Sequence, residues 1–147
     1  MSEPVTVQYE FASPPWMRAL FDLIESRARA SDLTGSDYSL CEVFSNVPEH
    51  LATSPDRTLA WHCVLRNGRV TCGMGDVENA SWKVFADYGA MLPVARMIIG
   101  DGDDSAEKTE RLIAALVREG KLTVQGTREG RPSFLEGLHD DMVRVTA

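Results

Sequence analysis

Three histidines, three cysteines and a few adjoining carboxylates are the side chains of this 147-residue sequence with the means to do chemistry. His62 and the pair Asp87-Tyr88 are the candidates for acid–base work. An imidazole titrates near neutral pH and can trade a proton with a carboxylate or a phenol, provided two of them converge within hydrogen-bond reach. Each also has a plainer reading. His62 falls on the strand face opposite Trp61, and Asp87-Tyr88 sits at a strand end. His50 follows Pro48-Glu49 in a loop. His139, beside Asp140-Asp141, suits a helix end, where a cation is favoured. The acidic run Asp101-Gly-Asp-Asp104 lacks the 12-residue, Glu-terminated pattern of a calcium loop and reads as a solvated turn with a helix cap. Cys41, Cys63 and Cys72 have no CxxC spacing and make no zinc site with the scattered histidines, so they read as small buried hydrophobes. There is no phosphate loop, nucleotide fingerprint or nucleophile elbow. No catalytic constellation, metal site or cofactor is expected.

Composition narrows the partners. Asp plus Glu outnumber Lys plus Arg by 22 to 15, for a net charge of −7, and the basic residues are scattered among acids. That is not the basic stripe of a nucleic-acid binder. No run approaches the roughly 18 apolar residues of a membrane span. Pro93 and Arg96 interrupt the longest, about Ala90 to Ile99. Met1-Ser-Glu-Pro lacks the basic and apolar regions of a signal peptide, and the C-terminus carries no retention address, so a cytoplasmic location is expected. The length suits a single domain over residues 1–147.

The elements that would position these residues can be read in order. Val5, Val7, Tyr9 and Phe11 alternate in an N-terminal arm. Ser13-Pro-Pro opens a helix, because a serine can cap and proline is tolerated in the first turn. Trp16, Leu20, Leu23 and Ile24 then follow at helical spacing, giving an amphipathic helix over 14–30. A short helix is expected from Tyr38 to Asn46, ended by Pro48. Leu59, Trp61, Cys63 and Leu65 alternate in a strand, Asn67-Gly68 is a hairpin turn, and Val70, Cys72 and Met74 alternate again. A two-residue turn pairs Arg66 with Arg69. Leu65 then meets Val70, Cys63 meets Cys72, and Trp61 meets Met74, an apolar match throughout. Facing Cys63 and Cys72 are expected to be packed thiols, since a cytoplasmic chain argues against a disulfide.

A third strand follows at Ser81 to Asp87, then a short apolar helix over 89–99. Asp104 with Glu107 resembles a capping box opening a helix that Gly120 ends. Leu122 and Val124 make a strand. Phe134, Leu135, Leu138, Met142 and Val145 make a last helix. The fold class is α+β, with helices over one face of a mostly antiparallel sheet.

Met74, Met91, Met97 and Met142 join Trp61, Trp82, Phe85 and Phe134 in the segments expected to face inward. They suit a packed core, and equally an apolar cavity for a hydrophobic ligand, since methionine adapts to varied partners.

Phe11-Ala-Ser-Pro-Pro-Trp16, the hairpin of 58–74, the Trp82 to Gly100 stretch and Gly120-Lys-Leu-Thr-Val-Gln-Gly126 together resemble the sterol carrier protein two family, bacterial type. The resemblance covers nearly the whole chain. The 120–126 segment, similar to the family's Gly-Lys-Leu-x-Val-x-Gly, is its most specific part. The chain departs from the family in a longer first linker, Ser31 to Pro55, and an expanded acidic turn at 101–104. The resemblance implies a five-stranded sheet under helices and a hydrophobic tunnel between them. Binding and transfer of a sterol, fatty acid or acyl chain would follow, without a cofactor and in some members alongside a partner enzyme. Mapped here, Trp82, Phe85, Met91, Met97, Phe134, Leu138 and Met142 would line the tunnel. Two other readings stay open: a small enzyme or accessory protein using His62, Asp87 or Tyr88 on a hydrophobic substrate, and a module that docks a partner through its apolar surface.

Overall fold

The computed structural model describes residues 7–100, 104–127 and 129–147. Ser13 caps the first helix, α1 (Pro14–Arg29), its side chain accepting the Trp16 N–H at 3.4 Å. One face of α1 buries Trp16, Met17, Leu20, Ile24 and Ala28, the spacing its sequence predicts. Five strands follow: β1 (Tyr38–Ser45), β2 (Leu59–Arg66), β3 (Arg69–Met74), β4 (Trp82–Asp87) and β5 (Leu122–Gly126). Helices α2 (Tyr88–Ala95) and α3 (Ser105–Arg118) lie between β4 and β5. A 3-10 turn (Ser133–Leu135) and α4 (Leu138–Val143) close the chain.

The strands form one sheet in the order β3-β2-β1-β4-β5. The hairpin has the expected register: Arg66 opposes Arg69, Leu65 opposes Val70, Cys63 opposes Cys72 and Trp61 opposes Met74. Asn67 and Gly68 both take positive φ, 55° and 75°, as this turn requires. The sheet is mixed. Three pairings are antiparallel, but β1 and β4 run parallel.

A parallel pair needs a crossover. The chain supplies it with residues 75–81, which leave β3 and pass over the outer face of the sheet. On the way His62 Nδ1 bonds the Gly75 carbonyl at 2.9 Å, and the Lys83 ammonium pairs with Asp76 and donates to the Val77 carbonyl at 3.2 Å. This strap explains why Cys41 (0% exposed) and Lys83 (7%) are buried on the face away from the helices.

Several sequence expectations are corrected. Tyr38–Ser45 is the central strand, not a helix. The strap covers its outer side and the helices its inner side, so apolar residues occupy both parities and blur the alternation. Asp104 is the N-cap of α3 but makes no side-chain capping bond; its carboxylate pairs with Lys108 at 3.2 Å, so the capping box does not form. The rest of the acidic turn, 101–103, lies outside the described residues, as does the arm before Val7. The last helix is broken in two by Gly137, whose φ of 75° no helix interior adopts. Cys63 and Cys72 form a disulfide, with Cα atoms 4.2 Å apart, rather than two packed thiols. They occupy a closely spaced cross-strand pair, which brings the two sulfurs together.

Candidate functional site

The inner face of the sheet is built in rows. Alternation sends Tyr38, Leu40, Glu42 and Phe44 of β1 inward, opposite Leu65, Cys63, Trp61 and Leu59 of β2. Helix α1 and the 133–143 segment cover these rows. Arg27 of α1 fastens the cover: its guanidinium donates to the carbonyls of Phe134 (3.2 Å) and Glu136 (2.6 Å) and pairs with Asp141. From the other side, the Asp140 carboxylate accepts the backbone N–H groups of Ile99 and Gly100, each at 2.8 Å, and His139 Nε2 bonds the Met97 carbonyl at 2.9 Å.

Between sheet and cover lies an apolar cavity of about 10 Å³, walled by Ile24, Leu40, Leu65, Val70, Phe134 and Leu135 among others. That is space for about one water molecule, so the interior is closed in this conformation. A larger hollow of about 460 Å³ is an open dip in the surface loop around Glu49, Thr53, Ser54 and Arg57. Its lining mixes polar and apolar groups and it lies open to solvent, so the interior is the better candidate for an apolar ligand.

One row is not apolar. Glu42 faces inward directly opposite Trp61 on β2 and beside Val84 on β4. The side chain keeps some accessible surface, yet protein crowds its carboxyl, and the lost hydration lifts its pKa to about 7 against the pull of Arg131. The Trp61 indole N–H is near enough to favour the carboxylate, but it has no acceptor at hydrogen-bonding geometry. The Nε of Arg131 is likewise buried without an acceptor, while its guanidinium carbon stands 5.7 Å from the Trp82 ring centroid. Sequence reasoning misses Glu42 and Arg131. The available signal is a lone carboxylate inside the apolar run from Tyr38 to Phe44, which carries meaning only once that run is a strand.

The residues expected to line a tunnel are dispersed. Phe134 walls the cavity. Trp82, Met91 and Leu138 are partly buried against the core, and Met142 is buried within it. Phe85 lies on the outer face of the sheet with the Lys83 ammonium 5.0 Å from its ring centroid, because strand parity opposes it to Val84 and Ala86. Met97 is 45% exposed, beyond the end of α2.

The acid–base candidates are employed separately. His62 holds the strap. Asp87 caps α2, accepting from Ala90 N at 3.0 Å and from the Asn46 amide at 2.7 Å. Tyr88 is buried, its hydroxyl donating to the Phe11 carbonyl at 2.8 Å. Among the described residues, no group of three or more His, Cys, Asp and Glu side chains is placed to hold a metal. No helix among them is long and apolar enough to cross a membrane.

No family model and no curated protein matches the chain. Solved structures do. A crystal structure of sterol carrier protein 2 is similar over 94% of this chain and 100% of its own, at 15% identity and a TM-score of 0.51. A conserved hypothetical protein of Thermus thermophilus, suggested to be a sterol carrier protein, is similar over 99% and 96%, at 13% identity and a TM-score of 0.47. A ubiquinone synthesis protein, UbiJ-SCP2, follows over 88% and 96%, at 18% identity and a TM-score of 0.43. The last two likenesses are too distant to carry an argument. The first shows that the chain has the sterol carrier protein 2 fold, so the resemblance read from the sequence holds at the level of architecture.

Proposed function

We propose that this chain binds a hydrophobic small molecule, a sterol, fatty acid or other acyl chain, between its sheet and the α1 and 133–143 cover. The observation that carries the reading is the apolar cavity at that place in a sterol-carrier fold. The cavity is too small for such a ligand as it stands, so entry requires the cover to shift. The cover suits this: it is a 3-10 turn and a six-residue helix flanking a glycine, tied by polar contacts that Arg27 and Asp140 supply. Displacing it would add Leu138 and the flank of Trp82 to the wall that Phe134 already forms.

The driving force is burial. Each methylene removed from water contributes about 0.8 kcal/mol, so roughly ten of them supply about 8 kcal/mol, the equivalent of micromolar affinity before the cost of ordering is subtracted. With His62, Asp87 and Tyr88 each otherwise engaged, a carrier or presenter of ligand fits the site better than a catalyst. Native mass spectrometry of gently purified protein tests the reading. A co-purified amphiphile, released on denaturation, is the expected result. A bare chain that also fails to take up any added acyl compound contradicts it.

A further inference from the structure

The interior contains three polar groups that the burial of an acyl chain does not use. Glu42 and the Trp61 indole N–H lie one row beyond the cavity, since Leu40 and Cys63, which wall it, lie two positions from them on the same face, and Arg131, whose charge acts on Glu42, stands over Trp82 beside Leu40. Arg131 adjoins Pro132, another wall residue. Two of the three present buried N–H groups with no acceptor. Such a group is costly while unsatisfied, because it has given up water and gained nothing in return. A ligand oxygen placed here would relieve that cost.

We propose that Glu42, Trp61 and Arg131 form the head-group site of the interior ligand, and that Glu42 makes the site prefer a hydroxyl head over a carboxylate. This rests on the ligand-binding reading above. A hydroxyl serves both Trp61 and Glu42: its oxygen accepts from the Trp61 N–H, and its O–H donates to the Glu42 carboxylate. A carboxylate head offers acceptors but no proton, and it sets a second anion against Glu42. Arg131 is the charge that acts on Glu42, and one cation cannot neutralise two carboxylates. Among the described residues, the other elements packed here add no charge to the row. Strands β2 and β4 contribute Trp61 and Val84, and α1 brings Phe21, 6.2 Å from Trp61 between ring centroids. Arg27 of α1 is committed to Asp141.

Above about pH 7, where Glu42 is ionised, a carboxylate ligand therefore binds with uptake of a proton, whereas an alcohol binds without it. The test titrates 1-decanol and decanoate into wild type, Glu42→Gln and Trp61→Phe at pH 6 and pH 8 by calorimetry. For wild type, decanoate should weaken about tenfold between the two pH values while decanol stays nearly constant, as linkage to one group near neutrality requires. Glu42→Gln should remove that pH dependence and raise decanoate relative to decanol. Trp61→Phe, which keeps an aromatic ring but deletes the N–H, should weaken decanol about tenfold. If decanoate and decanol bind alike at both pH values, and Glu42→Gln changes neither, the head-group assignment is wrong although ligand binding stands. If neither compound binds at any pH, the ligand-binding reading fails and this inference with it. Should Glu42→Gln fail to fold, the wild-type pH dependence and Trp61→Phe decide the matter.

Discussion

Glu42 and Trp61 stand directly opposite each other across β1 and β2, on the sheet face that the helices cover. A carboxyl group opposed to an aromatic ring in an apolar interior is a cost the fold bears. The pKa of Glu42 rises to about 7 from 4.5 because burial penalises its charged form. Unfolding frees the group to ionise, so stability falls as pH rises from about 4.5 to 7, and above that the full penalty applies. Glu42→Gln should therefore be more stable than wild type at pH 8, on the order of 1–3 kcal/mol, and nearly equal to it at pH 4. Urea unfolding at the two pH values checks the sign.

The Arg27 guanidinium is what ties α1 to the cover. Arg27→Met removes bonds to two carbonyls and the Asp141 carboxylate, leaving the carbonyls to water and Asp141 to Arg144 alone. A loss of about 2–3 kcal/mol is expected. Amide exchange should accelerate over 133–143 and stay unchanged in β1 and β2, as hydrogen-exchange mass spectrometry would show.

Gly126, the last residue of the segment most typical of the resembled family, has a physical reason to be glycine. Its φ is 91°, and a Cβ there would collide with the Ser81 carbonyl, which accepts the Thr127 N–H at 2.8 Å. Gly126→Ala must break that contact and separate β5 from the start of β4. We expect at least about 2–3 kcal/mol of destabilisation by thermal unfolding, well beyond an ordinary strand substitution.

The Cys63–Cys72 disulfide leaves Cys41 as the one free thiol, buried under the 75–81 strap. Denatured but unreduced protein should titrate one thiol, and reduced protein three. In the native state Cys41 should resist a thiol reagent, since burial raises its pKa and withholds the reactive thiolate. Asp76→Ala removes the strap's ion pair with Lys83 and should speed the modification about tenfold or more. Equal rates in the two proteins would show that the strap does not shield it.

What can be read from the sequence follows physical lines. The hairpin is legible to the residue because its turn chemistry and its apolar alternation are local and agree. Helix α1 is legible because a cap, two prolines and one apolar stripe all mark it. The central strand is not. Tyr38–Ser45 is covered on both faces, so its pattern depends on a strap and a helix layer distant in sequence. The polar row of the site is lost with it, because Glu42 and Arg131 are 89 positions apart and meet only through the tertiary fold. The parallel β1–β4 pairing likewise depends on a crossover whose path no local motif reveals. Of the residues that the resemblance assigns to a tunnel wall, Phe85 falls on the outer face by strand parity alone.

The most direct test of ligand binding between sheet and cover is a map of where an acyl chain sits. Methyl nuclear Overhauser contacts from bound 1-decanol should reach Ile24, Leu40, Leu65 and Leu135, the walls of the interior cavity. Contacts confined to the exposed Met97 and Ile98, or no contacts from a saturating ligand, would contradict the account.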